Sequence, residues 1–407
     1  MEIFKYIGNS LYGIEGTSFL PSPTSCQIVN FAQRIGISDY EEINLPFAPY
    51  FGKYFIQNGV LTRQPVPTSL STFNLVNTTN YRGSIGFWAN GNQIISHVGA
   101  GQFQLSINNG ITWSNLASAN VAGIAGYISS SLKNNFYENL LVGTSNLNSR
   151  AFYNNPNWFV GNMPGNHTWN AVYRSRIGPI QTAAVGYGVM AYLGAGDSWG
   201  LSPIDANGDW KALVGAWDNW IALDYNGRIS KSVVPWTNWS TPQQLFSIGA
   251  WNVDLDVIKG SQGYRFIAVG YSLSNATAEL YISNVVPNNN APNNISWSKI
   301  NIPNGRWFKI NNKSSSFWID NTPTNTIYIT EDPDNNTSQN RALVSSDLGE
   351  SWDVISLPTQ IPAAKGSIMY ADKISNTSPY IRWFVSNGVD FPGQPPPKLY
   401  SGQAILP

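Results

Sequence analysis

Ser345-Ser346-Asp347-Leu348-Gly349-Glu350-Ser351-Trp352 reads as a β-hairpin whose turn is written out residue by residue. Asp347 is placed to accept hydrogen bonds from backbone N–H groups of the turn, as an Asx-type turn requires. Gly349 supplies the positive φ that closes it, and Trp352 starts the outgoing strand with a large apolar anchor. A near copy stands at Ser106-Ile107-Asn108-Asn109-Gly110-Ile111-Thr112-Trp113, with Asn108 in the place of the aspartate. Weaker echoes occur at Asp205-Ala206-Asn207-Gly208-Asp209-Trp210 and at Ser296-Trp297. A turn of this kind, occurring twice, implies a repeated all-β unit.

The two octapeptides resemble the Asp-box (BNR) repeat of a family of β-propellers that includes sialidases and many non-enzymatic members. In that family the box is structural and lies far from the active site. The resemblance therefore implies turns built on Ser106, Asn108, Gly110, Trp113, Ser345, Asp347, Gly349 and Trp352, and no catalytic residue.

Outward from the boxes, short apolar strands alternate with polar turns, as in sandwiches, barrels and propellers. Cutting the chain at tryptophans that close successive units, Trp113, Trp158, Trp210, Trp239, Trp297 and Trp352, leaves intervals of 45, 52, 29, 58 and 55 residues. Four-stranded blades take roughly 40–50 residues each, so the 29-residue interval is the tight one. Each blade is expected to hold an apolar inner strand of the A-V-G or L-V-G type near the axis, with tryptophans filling the space between blades. The expectation is an all-β, six- or seven-bladed propeller over residues 69–407, seven being the preferred count. The ring would close through a strand near Leu70 to Val76 that joins the last blade. Residues 1–68 look different: they are proline- and aromatic-rich, with one short helical turn at Asn30 to Arg34. They read as an irregular N-terminal docking arm, held by the propeller or by another subunit.

Composition narrows the function classes. Only 11% of residues are charged, against roughly 25% in ordinary soluble domains. Lys plus Arg equals Asp plus Glu at 23 each, which leaves no global field to attract nucleic acid or an anionic membrane. No apolar run is long enough to span a bilayer as a helix, so no membrane insertion is expected. Cys26 is the single cysteine, which excludes an intrachain disulfide and a cysteine-based metal site. The opening Met1-Glu2-Ile3-Phe4-Lys5-Tyr6 lacks a basic segment followed by an apolar core. Synthesis in a cytoplasm without a signal peptide is therefore expected.

A sialidase needs an arginine cluster, a Tyr–Glu pair and an acidic donor, and the family's Arg-Ile-Pro motif is absent: Arg34-Ile35-Gly36 and Arg176-Ile177-Gly178 are the nearest strings. Other glycosidases need two carboxylates. Asp254 and Asp256 alternate on a strand and share a face, as would Asp218 and Asp224, and the bland reading is a solvated face. Glu331-Asp332-Pro333-Asp334 has the oxygen ligands for Ca²⁺, though an ordinary polar loop accounts for it equally. His97 and His167 are the only histidines, and neither adjoins a nucleophile elbow. No catalytic set, metal or cofactor is therefore expected.

Trp217, Trp220, Trp236 and Trp239 crowd one repeat beside Tyr225, and aromatic faces of this kind stack on sugar rings. They are the candidate glycan-binding residues, against the plainer role of filler between blades. The Asn-, Thr-, Gly- and Trp-rich composition resembles tail and fibre proteins of bacterial viruses. It implies a non-enzymatic structural and recognition module of a virion, with residues 1–68 docking to neighbouring structural proteins and the propeller facing host-surface glycan. The alternatives are a carbohydrate-active enzyme and a propeller lectin.

Overall fold

The computed structural model describes residues 4–7, 10–13, 25–34, 37, 42–47, 50–63, 74–77, 85–88, 93–98, 102–106, 112, 114–115, 125–133, 136–144, 150–154, 158–165, 167, 169–175, 178, 181–194, 198–259, 263–275, 277–287, 294–311, 327–331, 341–345, 348–356, 369–373, 380–386 and 399–405. Seven antiparallel sheets follow one another along the chain, each ordered as a simple meander. Blade 1 runs from Ile85–Trp88 to Ser114–Asn115, blade 2 from Ala125–Lys133 to Trp158–Asn162, and blade 3 from Trp169–Arg174 to Trp199–Ser202. Blade 4 runs from Trp210–Ala216 to Gln243–Gln244, blade 5 from Trp251–Lys259 to Trp297–Ile300, and blade 6 from Trp307–Asn311 to Asp353–Ser356. Blade 7 takes three strands from the C-terminus, Met369–Lys373, Tyr380–Ser386 and Leu399–Ile405, and its fourth, Asn74–Asn77, from before blade 1.

From blade 1 to blade 7 the first strand of each sheet lies against the first strand of the next. These strands therefore form the inner ring of a seven-bladed β-propeller. The ring is closed where the sequence places the closing strand, since Tyr400 pairs with Leu75 and Ser401 with Asn74. Closure of this kind covers the face that a lone sheet would leave exposed.

The buried side chains sit between blades. One cluster joins blades 3, 4 and 5 through Val185, Trp210, Val214, Trp220, Ile221, Trp251, Leu255 and Phe266. Another joins blades 5 and 6 through Ile267, Leu280, Ile282, Trp307, Ile310 and Leu348. The A-V-G and L-V-G runs are placed differently from expectation. In blades 2, 3 and 5 they lie in the second strand, within Phe136–Thr144, Thr182–Gly186 and Gly263–Ser272, and only Leu213-Val214-Gly215 of blade 4 is in the inner strand. A second strand has a strand on each edge and a blade on each face, which selects a continuous apolar run. The described ones, in blades 3 and 5, are buried along their length apart from Arg265.

The tryptophan spacing also resolves. Trp210 opens blade 4, and the residue that opens the outer strand of blade 3 is Trp199. With Trp199 substituted into the series, Trp158, Trp199 and Trp239 stand 41 and 40 residues apart, and the 29-residue interval disappears. A second series, Trp169, Trp210, Trp251 and Trp307, begins the inner strands of blades 3 to 6, each at most 2% exposed. Three of these indoles donate to a carbonyl of the loop arriving from the previous blade: Trp210 to Asp205 O, Trp251 to Ser247 O and Trp307 to Pro303 O. At Trp169, Trp210 and Trp307 the strand pairing shifts register immediately after the tryptophan. Such a bulge turns the large ring toward the neighbouring blade.

The box in blade 6 makes a turn with Leu348 at φ 58° and Gly349 at φ 85°. Asp347 lies outside the described residues; within them Ser345 Oγ accepts the Gly349 N–H at 2.9 Å, and Trp352 Nε1 donates to Gly349 O at 2.9 Å. The turn also locks blade 6 to blade 5. Leu348 is buried among Ile267 and Ile282, and Glu350 pairs with Arg265. A Cβ on Gly349 would stand 2.5 Å from Ile282 Cδ1, so glycine is demanded by packing as well as by φ. Ser106 ends the third strand of blade 1, whereas Asn108, Gly110 and Trp113 fall outside the described residues.

Residues 4–63 depart from the irregular arm that the sequence suggests. They form a five-stranded sheet and the helix Ser25–Arg34, which runs the full ten residues instead of one turn. The neighbouring β-branched Ile28 and Val29 disguise the helix, because such residues favour strands. What prevails is the stripe Ile28, Val29, Phe31 and Ala32, packed with Ile37, Tyr54 and Ile56 in a core of its own. Pro46 is accommodated beside the end of the hairpin that joins Glu42–Phe47 to Tyr50–Gln57. Cys26 falls in the helix.

Candidate functional site

A cleft of about 690 Å³ opens between blades 3 and 4, on the face that carries the first-to-second and third-to-fourth strand connections. Blade 3 contributes Tyr192, Gly194, Ser198, Trp199 and Gly200 from its two outer strands and their turn, and Gln181 from the approach to its second strand. Blade 4 contributes Trp236 from the connection after Arg228–Ser232. None of the described lining residues is charged. The turn in blade 3 is closed by the Gly194 N–H donating to Ser198 O at 2.8 Å.

Each wall has a local cause. Tyr192 pairs across the strands with Gly200, and a Cβ on Gly200 would stand 2.8 Å from the tyrosine ring. Glycine there lets the ring lie flat over the neighbouring strand. Trp236 is 45% exposed, and its ring centroid is 6.1 Å from that of Tyr192 at 53°. The turn beneath it is tied down: the Thr237 N–H and Oγ1 both donate to Val234 O, Ser232 Oγ donates to the same carbonyl, and Ser202 Oγ of blade 3 donates to Thr237 O. An exposed indole on a fixed turn is a preorganised surface.

The five aromatic candidates separate. Trp236 alone of them lines the cleft. Trp220 is fully buried and donates through Nε1 to Gln181 Oε1 at 2.7 Å, so it reaches the cleft only through that amide. Trp217, at φ 48°, packs its ring on Gly178, and its indole nitrogen is buried. Trp239 is half-buried against the inter-blade core. Tyr225 lies under Lys211, 5.9 Å from the ammonium, in the turn after the second strand of blade 4. The sequence reading missed Tyr192, Trp199 and Gln181; the opening Trp of the outer strand and the Tyr-opposite-Gly pairing are the signals that would have found the first two.

Asp224, Asp254, Asp256 and Glu331 are all engaged in structural contacts. Asp254 and Asp256 do share a face of the first strand of blade 5, but that face is buried and not solvated. Asp254 Oδ2 accepts the Ile310 N–H of blade 6, and Asp256 Oδ1 accepts the Val257 N–H. Asp218 and Asp224 stand at opposite ends of the strand Asn219–Asp224, on the order of 20 Å apart, and form no pair. Glu331 is paired with Arg341, while Asp332 and Asp334 lie outside the described residues. His167 packs edge-on to Trp169. Among the described residues no group of three His, Cys, Asp or Glu side chains is arranged to hold a metal.

Arg228, Arg265 and Arg341 belong to blades 4, 5 and 6 and each meets its own carboxylate: Asp224, Glu350 and Glu331. A fourth staple ties blade 5 to the loop arriving from blade 4. Glu279 accepts from Lys299 Nζ at 2.6 Å, from the Ser247 hydroxyl and N–H, and from the Tyr281 hydroxyl. Burial pushes the Glu279 carboxyl up, but the hydrogen bonds from Lys299, Ser247 and Tyr281 outweigh it, and its pKa is lowered. The sign follows: the pair stabilises fully above the ordinary carboxylate range, and the contribution is lost as pH falls through the lowered value. Glu279→Gln is therefore expected to flatten the acid limb of the stability–pH curve measured by urea unfolding between neutral pH and pH 3. An unchanged slope would remove Glu279 from the acid response.

No protein-family model matches the chain, and no curated protein sequence matches it. Among solved structures it is similar to YCF48 from Cyanidioschyzon merolae, at TM-score 0.50 and 14% identity over 82% of this chain and 98% of that one. It is similar to YCF48 bound to D1 peptide, at TM-score 0.50 and 14% identity over 83% and 99%. Virginiamycin B lyase from Staphylococcus aureus aligns at TM-score 0.49 and 11% identity, over 83% and 99%. At 14% identity the likeness to YCF48 is one of fold, and with the closed ring of seven sheets it makes this chain a β-propeller.

Proposed function

We propose that this chain is a non-enzymatic structural and recognition module of a larger assembly, a tail or fibre component of a virion. Residues 1–68 dock to neighbouring structural proteins, and the propeller faces a host surface. The observation that carries the reading is the use made of charge. The paired carboxylates and arginines of blades 4 to 6 are consumed in staples between strands and blades, while the described residues of the cleft offer uncharged, partly aromatic surface on a fixed frame. Catalysis of glycoside cleavage needs two carboxylates facing a substrate, and recognition needs only shape and stacking. The N-terminal helix and sheet supply a second unit with a core of its own, suited to docking. The Asp-box resemblance fits a family with many non-enzymatic propellers. The YCF48 propeller bound to a peptide is an instance of the same fold serving as a binding platform.

Deleting residues 1–68 spares Asn74–Asn77, the strand that closes the ring. The shortened chain is expected to remain soluble, with the far-ultraviolet dichroism of a β protein, and to be absent from particles that incorporate the full chain. Co-sedimentation with particles from producing cells is the measurement. Incorporation of the shortened chain at the level of the full chain, or an insoluble product, would count against the docking role.

A further inference from the structure

We propose that the cleft between blades 3 and 4 binds a neutral saccharide, with pyranose rings stacked on Trp236 and Tyr192 and a hydroxyl held by the Gln181 amide. The inference rests on the recognition reading above and gives that recognition a place and a ligand chemistry.

The geometry excludes other ligand classes in turn. A volume of about 690 Å³ is within the range of small-molecule sites and admits more than one sugar ring. With no charged side chain among the described lining residues, nothing in that lining compensates a phosphate, carboxylate or ammonium group for lost water, which is costly. A purely apolar ligand would in turn displace water from the Gln181 NH₂ group and the Tyr192 hydroxyl without replacing its hydrogen bonds. A pyranose meets both demands, because its C–H faces are apolar and its equatorial rim carries hydroxyls. Tyr192 and Trp236 both line the cleft, with ring centroids 6.1 Å apart and planes tilted at 53°, so the two rings are inclined differently.

Gln181 is oriented for this role by a residue that never touches the ligand. An indole N–H only donates, so the Gln181 atom facing Trp220 Nε1 at 2.7 Å is the carbonyl oxygen. The NH₂ group is thereby left to donate toward the cleft that Gln181 lines. Its backbone is also pinned, with the Gln181 N–H donating to Ser175 Oγ at 2.7 Å and its carbonyl accepting the Ser175 N–H at 2.8 Å. Trp220 is thus a positioning residue, and Trp236 and Tyr192 are the binding residues. The turn carrying Trp236 needs no reordering on binding, since its carbonyls and hydroxyls are already engaged.

The test uses the full chain and methyl glycosides of glucose, galactose, mannose and N-acetylglucosamine, with the methyl glycoside of sialic acid as the anionic probe. Saturation-transfer NMR identifies binders, and calorimetry measures their affinity. At least one neutral glycoside is expected to bind. Trp236→Ala is expected to weaken it about tenfold or more, while Trp236→Phe, which keeps a ring, stays within about threefold. Trp236 lies outside the core, so its variants should melt with the parent, and the melt is the check that they have folded. Absence of binding by every neutral glycoside, equal binding by Trp236→Ala, or preference for the anionic probe would each overturn the inference. A chain that binds no neutral glycoside yet still enters particles through residues 1–68 would lose the saccharide cleft and keep its place as a module. Glycoside binding without any dependence of incorporation on residues 1–68 would do the reverse.

Discussion

Truncation of Trp210 to alanine is expected to lower the unfolding free energy by about 3–5 kcal/mol, the range for deleting a large aromatic side chain from a packed core. Trp210 is fully buried in the cluster that joins blades 3, 4 and 5. The ring is fitted to its site closely enough that a Cβ on Gly208 would stand 2.4 Å from it. Its N–H donates to Asp205 O at 3.2 Å, a carbonyl that also accepts the Gly208 N–H at 3.1 Å, so Trp210→Phe leaves no stranded acceptor and should lose only about 1–2 kcal/mol through the smaller ring and the missing hydrogen bond. The same truncation at Trp236, exposed on the rim, should cost well under about 1 kcal/mol. Urea unfolding followed by far-ultraviolet dichroism separates the three variants. Equal losses at Trp210 and Trp236 would contradict the assignment of one to the frame and the other to the surface.

Asp224→Ala should be the most damaging single loss of a polar side chain in blade 4, at about 2–4 kcal/mol. The carboxylate is fully buried at the end of the second strand. Oδ1 accepts the N–H groups of Asn226 and Arg228 at 3.0 and 2.7 Å, and Oδ2 accepts Arg228 Nε at 2.8 Å and meets Nη2 at 2.7 Å. Alanine would strand two turn N–H groups and deprive a guanidinium of its main partner. Because Arg228 is 26% exposed, water recovers part of that loss, and the lower half of the range is the expected outcome. Asp224→Asn keeps the turn acceptor without the charge and should fall between the two. A loss below about 0.5 kcal/mol for alanine would show that the turn holds without its carboxylate.

Asp224 also carries the lesson about the Asp-box reading. The hydrogen-bond pattern assigned to Asp347 from sequence is realised in full at Asp224-Tyr225-Asn226-Gly227-Arg228, with Gly227 at φ 73°. The segment does not read as a box in sequence, since it lacks the serine and tryptophan that flank one. The blade count and the closing strand were legible because strand length, turn chemistry and the meander are local properties that repeat along the chain. The cut at Trp210 misled because sequence distance does not say whether a tryptophan opens an inner strand or an outer one. That distinction depends on which face of a sheet meets the next blade.

What the residues alone determined is the repeating unit: polar turns at glycine, apolar strands between them, and a strand before blade 1 left over to complete the last sheet. Which aromatic rings are wedges and which are surface was decided only by the packing of one blade on another. Trp220 and Trp236 have the same chemistry and lie 16 residues apart in one blade. One is sealed beneath Gln181 at an inter-blade contact, and the other is held out over Tyr192 by a turn bonded to the neighbouring blade. Burial is a property of the surfaces that meet, and in a ring of sheets each surface meets residues some forty positions away.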